Sequence, residues 1–425
     1  MRSADSVLKS GRMAALSLNG GPTAISISLG ALIILSVALP SGTLFGLPIK
    51  HLAYLATVFS IMHLWASRKI CIPQVLVFGF VSLSVVTAFF VLVGALKGAT
   101  EFGFVLKEAV GVFTAVSVVF LVLACTESGA VSRVSVVSFA FYGALLFASW
   151  KVLLVLGLVT RAIDYSTAYA FVLEQAGYRL VSSGIFGGLV RINLIIYDFL
   201  VAFILTFLIV SPGMFSGVGK LARAAFFLIG TACLVFAFSR LLFGMVALGW
   251  CVAFLFRFRL RAKVFAVLTA VMVGLVAAPW IEGAYQQRFR SAGTSESDEI
   301  RTEQIVALVD EWARSPIIGG GFGNYSRDLV RDRSAPYNYE VQWVGFLAKL
   351  GVLGVGYLLV LVTMLYWGVY AGAVGVERIM LFFTLSTFIL GGLTNQYLVT
   401  SASGVIYSLH LMLAAVSRQT DSNPS

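Results

Sequence analysis

Apolar runs long enough to cross a bilayer constrain this chain before any other feature does. They occur near residues 24 to 39, 47 to 66, 73 to 95, 102 to 124, 134 to 159, 192 to 211, 221 to 238, 241 to 256, 262 to 281, 341 to 371, 377 to 393 and 396 to 415. A helix needs about 20 apolar residues to cross membrane hydrocarbon. At 59% hydrophobic residues and a mean hydropathy of +0.96, the chain carries more apolar surface than a soluble core could hide. The pattern predicts an all-α polytopic membrane protein with about 12 transmembrane helices. It divides the sequence into a tail at 1–23, helices 1 to 9 over 24–281, a large extramembrane loop at 282–340, helices 10 to 12 over 341–415, and a second tail at 416–425.

The net charge of +11 does not point to nucleic acid, because the cations lie in short loops between apolar runs. With the basic N-terminal tail inside, every second loop is cytoplasmic. Those loops carry Arg68 and Lys69, Arg133, Lys220 and Arg223, the run Arg257, Arg259, Arg261 and Lys263, then Arg378 and Arg418. The positive-inside rule is met at each of them. The expected location is the inner membrane of a bacterium, multi-pass, with both termini cytoplasmic and the long loop periplasmic. The N-terminal segment has no small-residue cleavage site and reads as a retained tail. Nucleotide triphosphates and nucleotide sugars are absent outside that membrane, so a group transfer there needs a donor already activated and carried on lipid. No Walker sequence and no strand followed by GxGxxG contradicts this. Cys71, Cys125, Cys233 and Cys251 form no CxxC pair, and neither a metal site nor a cofactor is expected.

The long loop is where the polar residues concentrate, in a chain that is only 12% charged. It holds Arg288, Arg290, Arg301, Arg314, Arg327, Arg331 and Arg333, with no lysine and no histidine. Arginine presents a planar fork suited to phosphate or carboxylate. Residues 295–314 read as an amphipathic helix, with Ser295 and Asp298 as a capping box, Ile305, Leu308, Val309 and Trp312 on one face, and Pro316 past the end. That helix either packs on the protein's own outer surface or lies in the membrane interface. Gly319 to Asn324 is a turn segment, either a plain reversal or a phosphate-cradling nest.

Several charges sit where a membrane makes them costly. Arg191 and Arg240 both fall at the outer boundary and either anchor the helices or share an anion site, a diphosphate being the anion that matches a lipid-borne donor. Asp198 lies seven residues into its helix from Arg191, and a buried charge needs a partner, so it is expected to pair with Lys107 or Lys151. Such a cluster would also suit an ion path in a transporter. Glu340, the last polar residue before a helix, is either a helix N-terminal acid or a base that accepts a proton from an attacking hydroxyl. His51, His63 and His410 lie in apolar runs and are expected to be packed.

Three stretches carry a resemblance. They are Phe238-Ser-Arg-Leu-Leu-Phe-Gly244, then Trp312-Ala-Arg-Ser-Pro316-Ile-Ile-Gly319 followed by Gly-Phe-Gly-Asn-Tyr, and Glu340 through Lys349-Leu-Gly351-Val-Leu-Gly354. In order and spacing, from Arg191 to Gly354, with a fainter echo at Thr394-Asn-Gln-Tyr397, the chain resembles the bacterial O-antigen ligases and O-antigen polymerases. The resemblance implies a GT-C-like fold with a partly helical periplasmic loop. It also implies a metal-independent, inverting glycosyltransferase that uses an undecaprenyl diphosphate-linked glycan. Arg191 and Arg240 would bind the donor diphosphate, with Arg301 or Arg288 assisting. Ligases carry a histidine shortly before the helix after the loop, and here that place holds Glu340. This departure favours a polysaccharide polymerase acting on a lipid-linked acceptor, with O-antigen ligase, whose acceptor is lipid A core, as the alternative. A lipid or polysaccharide transporter is the reading from another class.

Overall fold

The computed structural model describes residues 24–40, 47–97, 101–172, 184–185, 189–190, 192, 194–237, 239–257, 292–330, 332–333 and 335–422. The run near 262–281, Arg191 and Arg288 therefore lie outside the described residues, and of Arg240 only the backbone is described. Among the described residues there are thirteen α-helices. They are α1 Ala24–Ala38, α2 Ile49–Ala66, α3 Gln74–Leu96, α4 Phe102–Glu127, α5 Arg133–Val159, α6 Tyr165–Phe171, α7 Ile195–Val210, α8 Lys220–Ala237, α9 Arg240–Arg257, α10 Ala292–Ala313, α11 Gln342–Gly372, α12 Gly375–Gly391 and α13 Ser401–Ser422. The only strands among them are Gly184–Ile185 and Leu189–Val190, a minimal antiparallel pair in which Gly184 faces Val190. Five helices, α3, α4, α5, α8 and α11, are long and apolar enough to cross a membrane; α1, α7 and most of α9 are shorter apolar helices.

Local chemistry sets the boundaries. Pro48 and Pro73 stand immediately before α2 and α3, where a missing N–H costs nothing. Ser132 caps α5 by accepting the Ser135 N–H at 3.0 Å, just after a turn that uses Gly129 at φ 73°. Two helices form the interior. In α7 every residue from Ile196 to Phe207 is buried, as an all-round apolar helix requires, and it packs on α5, α8, α9, α12 and α13. The other, α13, packs on α1, α4, α5, α11 and α12 and begins with the small residues Ser401-Ala-Ser-Gly404. A Cβ at Gly404 would lie 2.3 Å from the Ala115 carbonyl, so small residues set this helix approach.

The periphery is apolar in the opposite sense. On α3 the residues Val75, Phe78, Val81, Val85, Phe89, Leu92 and Leu96 form a helical stripe, each between 45% and 77% exposed. A stripe that long facing water would be a severe liability; facing lipid it is neutral. The protein is a multi-pass membrane protein on this pattern.

Helix α11 is interrupted. Gly351 adopts φ 60° and ψ −169°, a region essentially closed to other residues, and the chain resumes as helix beyond it. The break is filled by the segment that follows α10. Val352 and Leu353 N–H donate to the carbonyls of Pro316 and Ile317, and Gly320 and Gly321 N–H donate back to Ala348 and Lys349. The backbone groups freed by the break are thus satisfied inside the protein, the condition for non-helical chain at membrane depth.

Contacts sort the loops into two ends. At one end Gln396 meets Asn338, Tyr397 and Leu398 meet Gln342, and Lys97 meets Ser315. At the other, Ser211 meets Glu377, Arg223 meets Pro212, and Arg418 reaches the Ala371 carbonyl. The second end carries Arg133, Lys220, Arg378 and Arg418, the cations expected in alternate loops. The final helix starts at Ser401 and runs to Ser422, later at both ends than the apolar run suggests, because residues 392–400 are held as an irregular turn by Gln342.

Candidate functional site

The segment 315–324 anchors the polar end. Gly319, Gly321 and Gly323 have φ of 64°, 84° and 76°. A side chain at Gly321 would meet the Gly94 backbone at 2.1 Å, and one at Gly319 would meet the Lys349 carbonyl at 2.3 Å. The segment is wedged between the end of α3, the start of α4 and the broken α11. Its N–H groups are already used: Gly320 on Ala348, Gly321 on Lys349, Phe322 on Phe90, and Gly323 on the Glu108 carboxylate at 2.7 Å. A phosphate-cradling nest needs free N–H groups, so this is a packed reversal and not a nest. Lys97 closes it from outside by donating to Ser315 Oγ at 2.5 Å and the Gly319 carbonyl at 2.6 Å.

Glu108 and Lys349 are the charged pair of this wedge. Lys349 Nζ donates to Glu108 Oε1 at 2.5 Å and to the Tyr337 carbonyl at 2.7 Å, and it lies 5.6 Å from the Tyr337 ring centre. Burial, and then the Glu108 and Asp332 charges, push the Tyr337 hydroxyl up to about 12. Burial also raises Tyr339 to about 12, and its hydroxyl accepts the Ser326 N–H at 2.9 Å. Both tyrosines therefore serve as neutral phenols at ordinary pH. No sequence pattern links Glu108 to Lys349, which lie 241 positions apart.

Glu340 stands at the next step of the same strip. Arg301 Nε donates to its Oε2 at 3.1 Å, and each side chain is about a third exposed. The Glu340 backbone N–H is received by Gln304 Oε1 at 2.8 Å. This explains a correction on α10. That helix starts at Ala292, so Ser295 falls inside it instead of capping it. Its buried face runs through Gln304 and Leu308, while Ile305 and Val309 remain exposed together with Val306. Polar Gln304 is buried because it holds the chain at Glu340.

The two expected partners of Asp198 separate. Lys151 Nζ lies 2.5 Å from Asp198 Oδ1, both side chains fully buried. Asp198 also accepts from Leu194 N–H at 2.8 Å and Cys233 Sγ at 3.5 Å. This is a closed network with no solvent access. Lys107 is not part of it: α5 packs on α7, whereas Lys107 lies on α4 near the Phe104 ring and beside a cavity at the polar end. Of the histidines, His410 is buried against Phe203, with Nδ1 2.8 Å from the Ile406 carbonyl, whereas His51 and His63 face outward.

Arg240 opens α9. Its neighbour Leu241 lies beside Gly391, whose other flank is taken by Tyr397, and Tyr397 N–H is held by Gln342. The start of α9 is therefore at the same end as Glu340. Ile192 N–H donates to the Phe236 carbonyl at 3.2 Å, which lays the approach to α7 along the last turn of α8.

Residues 224–359, about a third of the chain, match the family model Wzy_C, O-antigen ligase. The matched stretch holds Arg240, the α10 helix, the 315–324 wedge, Glu340 and the break in α11. The resemblance read in the sequence is matched over that segment, where the chain is similar to the O-antigen ligase family. No curated protein matches the chain.

Proposed function

We propose that this protein transfers a glycan from an undecaprenyl diphosphate-linked donor to a sugar hydroxyl at the periplasmic face of the bacterial inner membrane. The observation that carries the reading is the Arg301–Glu340 pair, set at the same end as the start of α9, within the segment matched to the O-antigen ligase family. In this reading the chain crosses the membrane about twelve times in a GT-C-like arrangement. Both termini are cytoplasmic, since the cations gather at the other end.

Glu340 accepts the proton of the acceptor hydroxyl, or orients it, with Arg301 fixing the carboxylate. The hydroxyl oxygen bonds to the anomeric carbon from the face opposite the diphosphate, so the configuration inverts. The bond from that carbon to the diphosphate oxygen breaks, and undecaprenyl diphosphate leaves with the electron pair. Arg191 and Arg240, with Arg288 or Arg301 assisting, balance the charge that develops on it. Guanidinium groups supply the positive charge of the transfer site.

Two acceptors fit the same chemistry. The family description favours lipid A core, the ligase acceptor. Glu340 in place of the ligase histidine favours a lipid-linked repeat unit, the polymerase acceptor. Purified protein given a synthetic lipid diphosphate oligosaccharide is expected to release free undecaprenyl diphosphate; an intact donor would instead indicate a transporter. Deleting the protein in its host separates the acceptors: long unattached chains accumulate if a ligase is lost, and single repeat units if a polymerase is lost.

A further inference from the structure

A cavity of about 160 Å³ opens between α4, α11 and the turn at 392–400, and the transfer chemistry gives it no task. Its polar wall is made by Lys107, Glu108, Asn338, Gln342, Lys349 and Gln396, with the Tyr337 ring beside them. Gln342 is only 5% exposed. Its Oε1 receives two backbone N–H groups, from Tyr397 at 3.0 Å and Leu398 at 2.8 Å, which fixes the direction of the amide. Its NH₂ then has no partner among the described residues and is not sealed off in the interior, so it is a donor free to meet a ligand.

Charge points the same way. Lys349 is neutralised by Glu108, whereas Lys107 Nζ faces no carboxylate among the described residues and has only the Phe104 ring, 6.0 Å away. Asn338 Oδ1 is occupied by Gln396 at 2.6 Å, which leaves its NH₂ available. The wall therefore offers donors and one uncompensated positive charge. The volume is on the order of ten times what one water requires, and it falls short of the roughly 300 Å³ at which pockets for larger ligands begin. It suits one ring.

We infer that this cavity is a subsite for a single sugar unit bearing an oxyanion, a uronate or a sugar phosphate, whose charged oxygens meet Lys107 and the Gln342 NH₂. The inference rests on the proposed glycosyl transfer for the statement that this sugar belongs to the glycan substrate. Residues on either side of Glu340 in sequence, Tyr339 and Gln342, line the cavity while Glu340 and Arg301 do not, so it would hold a neighbouring unit in register.

The test uses the full chain in nanodiscs and saturation-transfer NMR with three probes: methyl glucuronide, methyl glucoside and inorganic phosphate. Glucuronide is expected to bind more tightly than either of the others. Both Lys107→Gln and Gln342→Glu should weaken it at least tenfold, the second variant keeping an oxygen for Tyr397 and Leu398 and so keeping the fold. Equal binding of glucuronide and glucoside would overturn the anionic part. Phosphate binding as tight as glucuronide would overturn the sugar part, and glucuronide binding that survives both substitutions would remove the cavity as its location. Release of undecaprenyl diphosphate from a lipid-linked donor is measured separately. An inactive protein that still binds glucuronide at this cavity would refute the transfer reading and leave the subsite standing.

Discussion

Replacing Gly351 by alanine should damage this protein far more than its small size suggests. At φ 60° and ψ −169° a side chain is strained by on the order of 1–3 kcal/mol. The new Cβ would also stand 2.3 Å from the Ile317 carbonyl oxygen and 2.6 Å from Gly319 N, so the backbone there must move. Overpacking of this kind costs about 1–3 kcal/mol. Moving the chain endangers the hydrogen bonds of Val352, Leu353, Gly320 and Gly321 across the break, each worth roughly 0.5–1.5 kcal/mol. With even one of these bonds lost, the sum is on the order of 3–7 kcal/mol, a large share of a typical folding free energy. Gly356→Ala is the control: it lies in the same helix, with nothing within 4 Å of its Cβ. Heating both variants in detergent and following the loss of folded protein should show Gly351→Ala melting several degrees lower. It should lose donor turnover with the fold, while Gly356→Ala matches the parent. Equal behaviour of the two variants would refute the interlocked break.

Four further outcomes are expected. Lys151→Met alone should destabilise by about 3–5 kcal/mol because it strands a buried carboxylate, and adding Asp198→Leu should recover much of that in a denaturation series; a double variant no better than the single would count against the pair. Arg240→Lys should keep the fold and lose most donor cleavage, since a point charge replaces a planar fork; near-normal turnover would argue against its contact with the diphosphate. Glu340→Gln should be slower than Glu340→His if the residue takes a proton, and the reverse order would assign it a structural role. The raised Tyr339 hydroxyl stabilises the fold below its ordinary value near 10, and that contribution is lost as pH rises through about 12. Tyr339→Phe should therefore flatten the alkaline decline in melting temperature over that window, and an unchanged slope would remove Tyr339 as its source.

The membrane helices were legible because length and hydropathy define them. The runs near 102–124 and 134–159 became Phe102–Glu127 and Arg133–Val159. The break at Gly351 was not, because glycine inside an apolar run is ordinary and only the chain 30 residues earlier makes the interruption stable. The stretches Pro316 to Asn324 and Lys349 to Gly354 lie far apart in the sequence, and the structure shows that they hydrogen-bond to each other. Pairing of Asp198 was legible from the cost of a buried charge, while the choice of Lys151 over Lys107 depended on which helices pack together. The sequence placed Ile305 and Val309 on one apolar face of α10, which stays exposed with Val306, but apolarity could not single out Gln304, which is buried beside Leu308 by binding the Glu340 backbone. The Lys107 and Gln342 cavity is not visible in the sequence because its members come from three separate parts of it.

The stitching of residues 316–323 into α3, α4 and α11 defines what can be exchanged between proteins of this kind. A chimera that swaps only the extramembrane loop would bring foreign carbonyls to Val352 and Leu353 and a foreign surface to Gly94. The smallest transplantable module therefore includes Phe90 to Gly94, Val105 to Glu108 and Ala348 to Leu353 along with the loop. Specificity grafts that respect this seam should yield folded hybrids, and those that cut through it should be recovered mainly as aggregate.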